Sequence, residues 1–277
     1  MTGAQAIGLC KAWANGEWGV RSASWIRSDG TPLNGALLDG KGILKDFGPN
    51  TPREGNSFLV LSSGAARDPA DPGFQDPGGY WKEDLPHGAP PGYPKESPAC
   101  PDLITGEPYD SAGLRLVIQT PTDAKGFSFE FNFYTYEYPD YICSEFNDFF
   151  VAMLSPKVSS LPDGNISYDM QNNPISVNAG FLDVCNSCDV GFACGQGYSG
   201  VLGTGFESNQ SFIYGIQGSA ATGWLQTSAP IEAQGSEITL DFLIWDSGDG
   251  VLDSTTIIDN FKFSLDETGT GTLPVPE

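Results

Sequence analysis

The strongest constraint on this chain is a strict period of two. Phe127, Phe129, Phe131 and Phe133 alternate with Ser128, Glu130, Asn132 and Tyr134, and Ile238, Leu240, Phe242 and Ile244 repeat the pattern about a hundred residues later. Alternation of this kind puts one face of a strand in a core, whereas a helix repeats every 3.6 residues. Leu114, Leu116 and Ile118, the run Phe149–Leu154, and Ile257, Phe261 and Phe263 extend the series, and earlier strands are expected at 18–26 and 58–61. Shorter strands are expected at 165–170, 211–216 and 224–226. One helix is expected, over 4–14, with Ala6, Leu9, Cys10 and Trp13 on an apolar face. Short strands separated by Gly/Pro turns, in a chain with 35 glycines and 21 prolines, predict an all-β, antiparallel β-sandwich of jelly-roll type with long loops and this one short N-terminal helix.

The length of 277 residues suffices for one full core. A single domain is expected over 1–267, with 110–265 as its clearest part. Between Asp68 and Pro101 nine prolines interrupt the pattern, too many for the interior of a paired strand. This stretch is read as a long loop excursion pinned by aromatic residues. The segment 268–277 has the composition of a linker or tether.

Thirteen basic against 35 acidic residues give a formal charge of −22, which repels phosphate backbones and excludes nucleic acid as a partner. No apolar run approaches the ~20 residues of a membrane helix, so no direct membrane insertion is expected. Six cysteines (Cys10, Cys100, Cys143, Cys185, Cys188 and Cys194) suit an oxidising compartment and make disulfides the expectation, with the pairing open. Zinc is disfavoured, because the only histidine, His87, sits in the Pro-rich excursion. An exported chain whose leader has been removed fits these features.

The acidic residues are not evenly spread. Asp246, Asp249, Asp253 and Asp259 lie in and after one loop, and Glu137, Asn147 and Asp148 lie in another connection between strands. Clustered hard oxygens repel one another unless a cation offsets them, and they suit Ca2+. The Asp-x-Asp-x-Asp-Gly pattern of an EF-hand is absent. If both connections share one sheet end, a single calcium site can draw on both. Catalysis has little to work with: no acid pair stands out for glycoside hydrolysis, and His87 has no nucleophile elbow to serve.

The ordered series Phe127–Pro139, Cys143–Phe150, Asn165-Ile166-Ser167, Val177-Asn178 and Ile244–Ser254 resembles the choice-of-anchor L domain family, and Leu59–Ala66 looks like its upstream part. That resemblance implies bacterial export and cell-surface display with no established activity. The expectation is therefore a non-catalytic, secreted binding or adhesion module stabilised by calcium, whose partner is a surface glycan, a protein or another copy of itself. A self-assembling surface-layer or filament protein and a carbohydrate-active enzyme are the alternatives.

Overall fold

The structure, a computed structural model, describes residues 1–178, 180–186 and 194–276. Two antiparallel sheets face each other, as the alternation requires. One contains β1 (Gly19–Ile26), β6 (Pro108–Gln119), β12 (Glu237–Ser247), β8 (Phe149–Ser155) and β9 (Ile175–Ser176), in the order β1-β6-β12-β8-β9. The other contains β14 (Gly271–Pro274), β11 (Leu225–Pro230), β7 (Gly126–Thr135), β13 (Ser254–Ser264), β3 (Phe58–Ser62) and β2 (Lys41–Leu44), in the order β14-β11-β7-β13-β3-β2, with the two-residue β10 (Ala220–Ala221) also paired to β7. A small ribbon of β4 (Glu96–Ser97) and β5 (Cys100–Ile104) lies apart.

The phenylalanines of β7 are fully buried and meet the other sheet's side chains edge-on or tilted. Phe129 and Phe242 lie 4.9 Å apart between ring centroids, and Phe131 and Phe150 lie 4.8 Å apart. Fully burying each such ring stabilises the fold by roughly 1.5–3 kcal/mol. The sandwich of the sequence reading is therefore present, and its core sits where the alternation placed it.

Four local expectations differ. The helix α1 spans only Thr2–Ala6; Gly8 turns the chain with φ +93°, and Ala12 then bridges to Val20, so Cys10 and Trp13 are exposed. Segments 165–170 and 211–216 are irregular, held by local side-chain bonds, because Asn165 Oδ1 and Asp140 take amides that a ladder would use. The tail 268–277 is not merely a linker, since β14 pairs with β11 from Leu225↔Pro274 to Ser228↔Gly271. Two disulfides form, Cys100–Cys143 and Cys185–Cys194. Among the described residues Cys10 has no disulfide partner, and Cys188 lies outside them. Among the described residues no helix is long and apolar enough to cross a membrane.

Two connections matter for the site. The chain leaves β7, crosses between the sheets through 136–148 and enters β8. It later leaves β12, crosses back through 248–253 and enters β13. Both crossings occur at the same end of the sandwich, where β3 finishes and β6 starts.

Candidate metal centre at one end of the sandwich

These two crossings bring the acidic residues together. Asp246 is the next-to-last residue of β12, Asp253 immediately precedes β13, Asp148 immediately precedes β8, and Glu137 follows β7 by two residues. All four are buried, with Asp148 fully so and Asp246 and Asp253 each 1% exposed. Asp148 joins the two crossings: its carboxylate accepts from Ser247 N at 3.1 Å and from Ser254 Oγ at 2.7 Å. Glu137 accepts from Asp148 N at 3.3 Å, and Asn147 Oδ1 accepts from Asn178 N at 3.2 Å.

Asp246 and Asp253 have no such partners. Among the described residues no N–H or O–H group reaches any of their four buried carboxylate oxygens in hydrogen-bond geometry, and Asn147 Nδ2 is likewise unpartnered. Asp246 lies against the Asp148 carboxyl, with which it can share a proton, and beside the Ser63 hydroxyl, which opposes the rise of its pKa. A buried carboxylate with no donor carries the full desolvation penalty of its charge. Burial, and next the neighbouring Asp148, push the Asp246 carboxyl well above the ordinary carboxylate range. Burial followed by Asp246 does the same to Asp253, and burial followed by Asp246 raises Glu137. Asp148 is raised by burial and then by Glu137.

The backbone is shaped around these side chains. A Cβ on Gly64 would fall on the Asp253 carboxyl, so only glycine fits beside it. The Pro-rich excursion closes over this end: Pro77 O accepts from Asp253 N at 2.8 Å, and Glu83 N donates to Asp110 Oδ1 at 3.0 Å. It also delivers Lys82, whose Nζ donates to Ser62 O at 3.0 Å. Burial lowers the Lys82 pKa, while Asp253, Asp110 and Asp246 oppose that shift. Among the described residues Lys82 has no carboxylate within ion-pairing distance, so its charge offsets the acids across a gap without satisfying their oxygens.

The other residues marked by the sequence divide. Asp249 lies half-buried in the same loop, its carboxylate accepting from Val251 N at 3.2 Å, and burial raises its pKa. Asp259 is elsewhere. It sits six residues along β13 from Asp253, about 20 Å at ~3.3 Å per residue, and accepts from Arg53 N at 2.7 Å, Glu54 N at 3.1 Å and Asn260 N at 2.6 Å. It anchors the loop before β3 and does not share the end occupied by Asp246. Lys82 and Asp110 were missed; neither has a sequence signal beyond being polar in a turn-rich stretch.

The oxygens that fit a hard cation are the carboxylates of Asp246 and Asp253, since the Ser62 hydroxyl already donates to Ser254 O and accepts from Gly64 N and Thr255 Oγ1, and the Asn147 amide oxygen already accepts from Asn178 N. No group of three or more His, Cys, Asp or Glu among the described residues is disposed to hold a metal by itself. A cation here would thus take Asp246 and Asp253 and complete its shell with neutral oxygens, which Ca2+ accepts from hydroxyls, carbonyls and water. No family model, curated protein or solved structure matches the chain.

Proposed function

We propose that this chain is a non-catalytic binding or adhesion module of an exported, surface-displayed protein of the choice-of-anchor L kind, with Ca2+ locking the loops at one end of its sandwich. The observation that carries the reading is the set of four buried carboxylate oxygens on Asp246 and Asp253 with no donor, at the place where both sheet-crossing connections meet. Calcium would tie the ends of β12 and β13 to each other, and Asp148 would transmit that order to β8. Two disulfides support an oxidising, extracellular setting.

A catalytic role has less support. A glycoside hydrolase needs an acid and a base flanking a cleft that admits a sugar. The acids here lie beneath the excursion, and the crevice bordered by Asp253 has a volume of about 10 Å³, room for about one water and no substrate.

The test is metal content by mass spectrometry on protein purified without chelator, paired with thermal melts in calcium and in EDTA. One or more stoichiometric calcium ions and a melt that falls in EDTA are expected. Metal-free protein with identical melts would remove calcium from the reading and leave the acids as a proton-sharing cluster.

A further inference from the structure

A groove of about 710 Å³ opens over β7, β11 and β14, the size of pockets that enclose small ligands. Its floor follows from strand register. Ser128 pairs with Ser228 and Ser228 with Gly271, so three adjacent strands present two small hydroxyl side chains and a bare backbone at one level. Ser128 and Ser228 alternate with buried neighbours, Phe127 and Phe129 on one strand and Thr227 and Ala229 on the other, and so face away from the core. Larger side chains there would fill the trough. Two residues along, Gln226 and Leu273 border it.

Both flanking segments are held in place. Asp169 is 1% exposed, and its carboxylate accepts from Gln171 N, Asn173 N and Asn173 Nδ2, each at 2.8 Å, and from Gly180 N at 3.0 Å. Those bonds fix the segment around Tyr168 and Met170, and Tyr168 N ties it to β14 by donating to Thr272 Oγ1 at 3.3 Å. The turn from β13 to β14 is closed by Ser264 Oγ and Thr268 Oγ1, which donate to Asp266 O at 3.0 Å and 3.1 Å. A groove ordered in advance loses little entropy when a ligand enters.

The chemistry of the lining selects the ligand. Ser128, Tyr168, Asn172, Gln226, Ser228 and Thr270 have side chains with no hydrogen-bond partner among the described residues, and all but Asn172 are half-buried. Each of these groups is neutral and both donates and accepts, as a sugar hydroxyl does. Tyr168, Met170 and Leu273 add apolar surface for the C–H face of a sugar ring, the last two at 73% and 59% exposure. The two acids of the lining are already engaged, Asp169 by the four donors above and Glu267 by Lys125 at 3.4 Å. Among the described residues no Lys or Arg lines the groove; Lys262, beside Ser128 in register, lies outside it. An acidic polysaccharide would meet the net charge of −22 with no cation in the groove to receive it.

We propose that this groove binds a neutral oligosaccharide. The proposal rests on the reading of the chain as a binding module and gives that module a ligand class and a place. It does not rest on calcium, because Ser128 is about 23 Å from Thr135 at the acidic end of β7, at ~3.3 Å per residue.

Affinity electrophoresis would be run on wild type, Gln226→Ala and Ser228→Tyr through gels containing dextran, mannan, galactan, xylan or polygalacturonate, each in calcium and in EDTA. At least one of the neutral polymers is expected to retard wild type in both conditions, and polygalacturonate is expected not to. Gln226→Ala, which removes one free amide, should weaken retardation about fivefold. Ser228→Tyr, which fills the trough, should abolish it. Both positions lie on the outer face, so the variants should keep the wild-type melt. No retardation by any neutral polymer, retardation by polygalacturonate instead, or retardation unchanged in Ser228→Tyr would overturn the proposal. Retardation that disappears in EDTA would place the ligand at the acidic end and overturn it too. Metal content and the melt in EDTA are read separately, so the calcium reading stands or falls on its own measurement.

Discussion

Asp253 and Asp259 bracket the first half of β13, are equally buried and are separated by only five residues, yet their surroundings differ completely. Asp259 receives three backbone N–H groups, and its neighbour Glu130 is paired with Arg53 and Asn260. Asp253 receives none, and the acid nearest it, Asp246, receives none either. The first carboxylate is a finished structural cap, and the second is buried with no donor. Burial alone therefore does not mark a functional acid; the supply of donors separates the two cases.

The largest effect expected on this contrast comes from the Cys100–Cys143 disulfide, which ties the end of the excursion to the connection carrying Glu137 and Asp148. Its 43-residue separation corresponds to about 4 kcal/mol of chain-entropy stabilisation. Replacing both cysteines with serine should lower the melt accordingly. In hydrogen exchange, the amides of 136–148 should open while those of Arg53, Glu54 and Asn260 stay protected. Equal loss of protection in both places would mean that the two ends of β13 are not independent.

Asp259→Ala comes next. It strands three amide donors and should destabilise by about 3 kcal/mol, by the same amount in calcium and in EDTA. Asp246→Asn and Asp253→Asn should behave differently, close to neutral in EDTA, because each removes a buried carboxylate that has no donor while leaving Lys82 one acid fewer. In calcium at a hundred times its dissociation constant they should lose about 2.7 kcal/mol of ligand-linked stability. Isothermal calcium titrations read the same contrast directly: binding is expected to survive Asp259→Ala and to be lost in either Asn variant. Binding that depends on Asp259 would break the comparison.

The contrast also explains what could be read from the sequence. Buried faces set by Phe127 to Phe133 or Ile238 to Ile244 are written locally, because neighbouring side chains choose the period. That Glu137, Asn147 and Asp148 lie at the same end of the sandwich as Asp246 and Asp253 was open in the sequence, which showed two acidic connections but not whether they share an end. That Asp259 would not join them depends on the amides of Arg53 and Glu54, two hundred residues away. The same holds for Ser211–Ile216: its apolar run reads as a strand, but Asp140 takes the amides and leaves the side chains in solvent. Lys82 was invisible for a related reason, since only the fold of the excursion brings it over the acids.

The smallest expected effect is the most specific test of the missing donors. Asp246 and Asp253 have folded pKa values raised from 3.8, so between that value and the raised one the native state holds more protons than the unfolded chain. Stability then falls as pH rises through that window, and the penalty is complete above it. In EDTA, acidifying from neutral toward pH 5 should therefore raise the melt. His87 works against this: burial, and then Arg27, lower its pKa from 6.5, so it loses stability as pH falls below that value. His87→Gln should remove the opposing contribution and expose a net gain of about 1 kcal/mol for each unit of carboxylate shift traversed. Calcium should flatten or reverse the slope, because protons and the ion compete for the same oxygens. The slope should weaken most in the Asp246→Asn, Asp253→Asn double variant, leaving the smaller share of Glu137, Asp148 and Asp249, and change less in Asp259→Asn. A slope that follows Asp259 instead would put the uncompensated charge at the other end of β13.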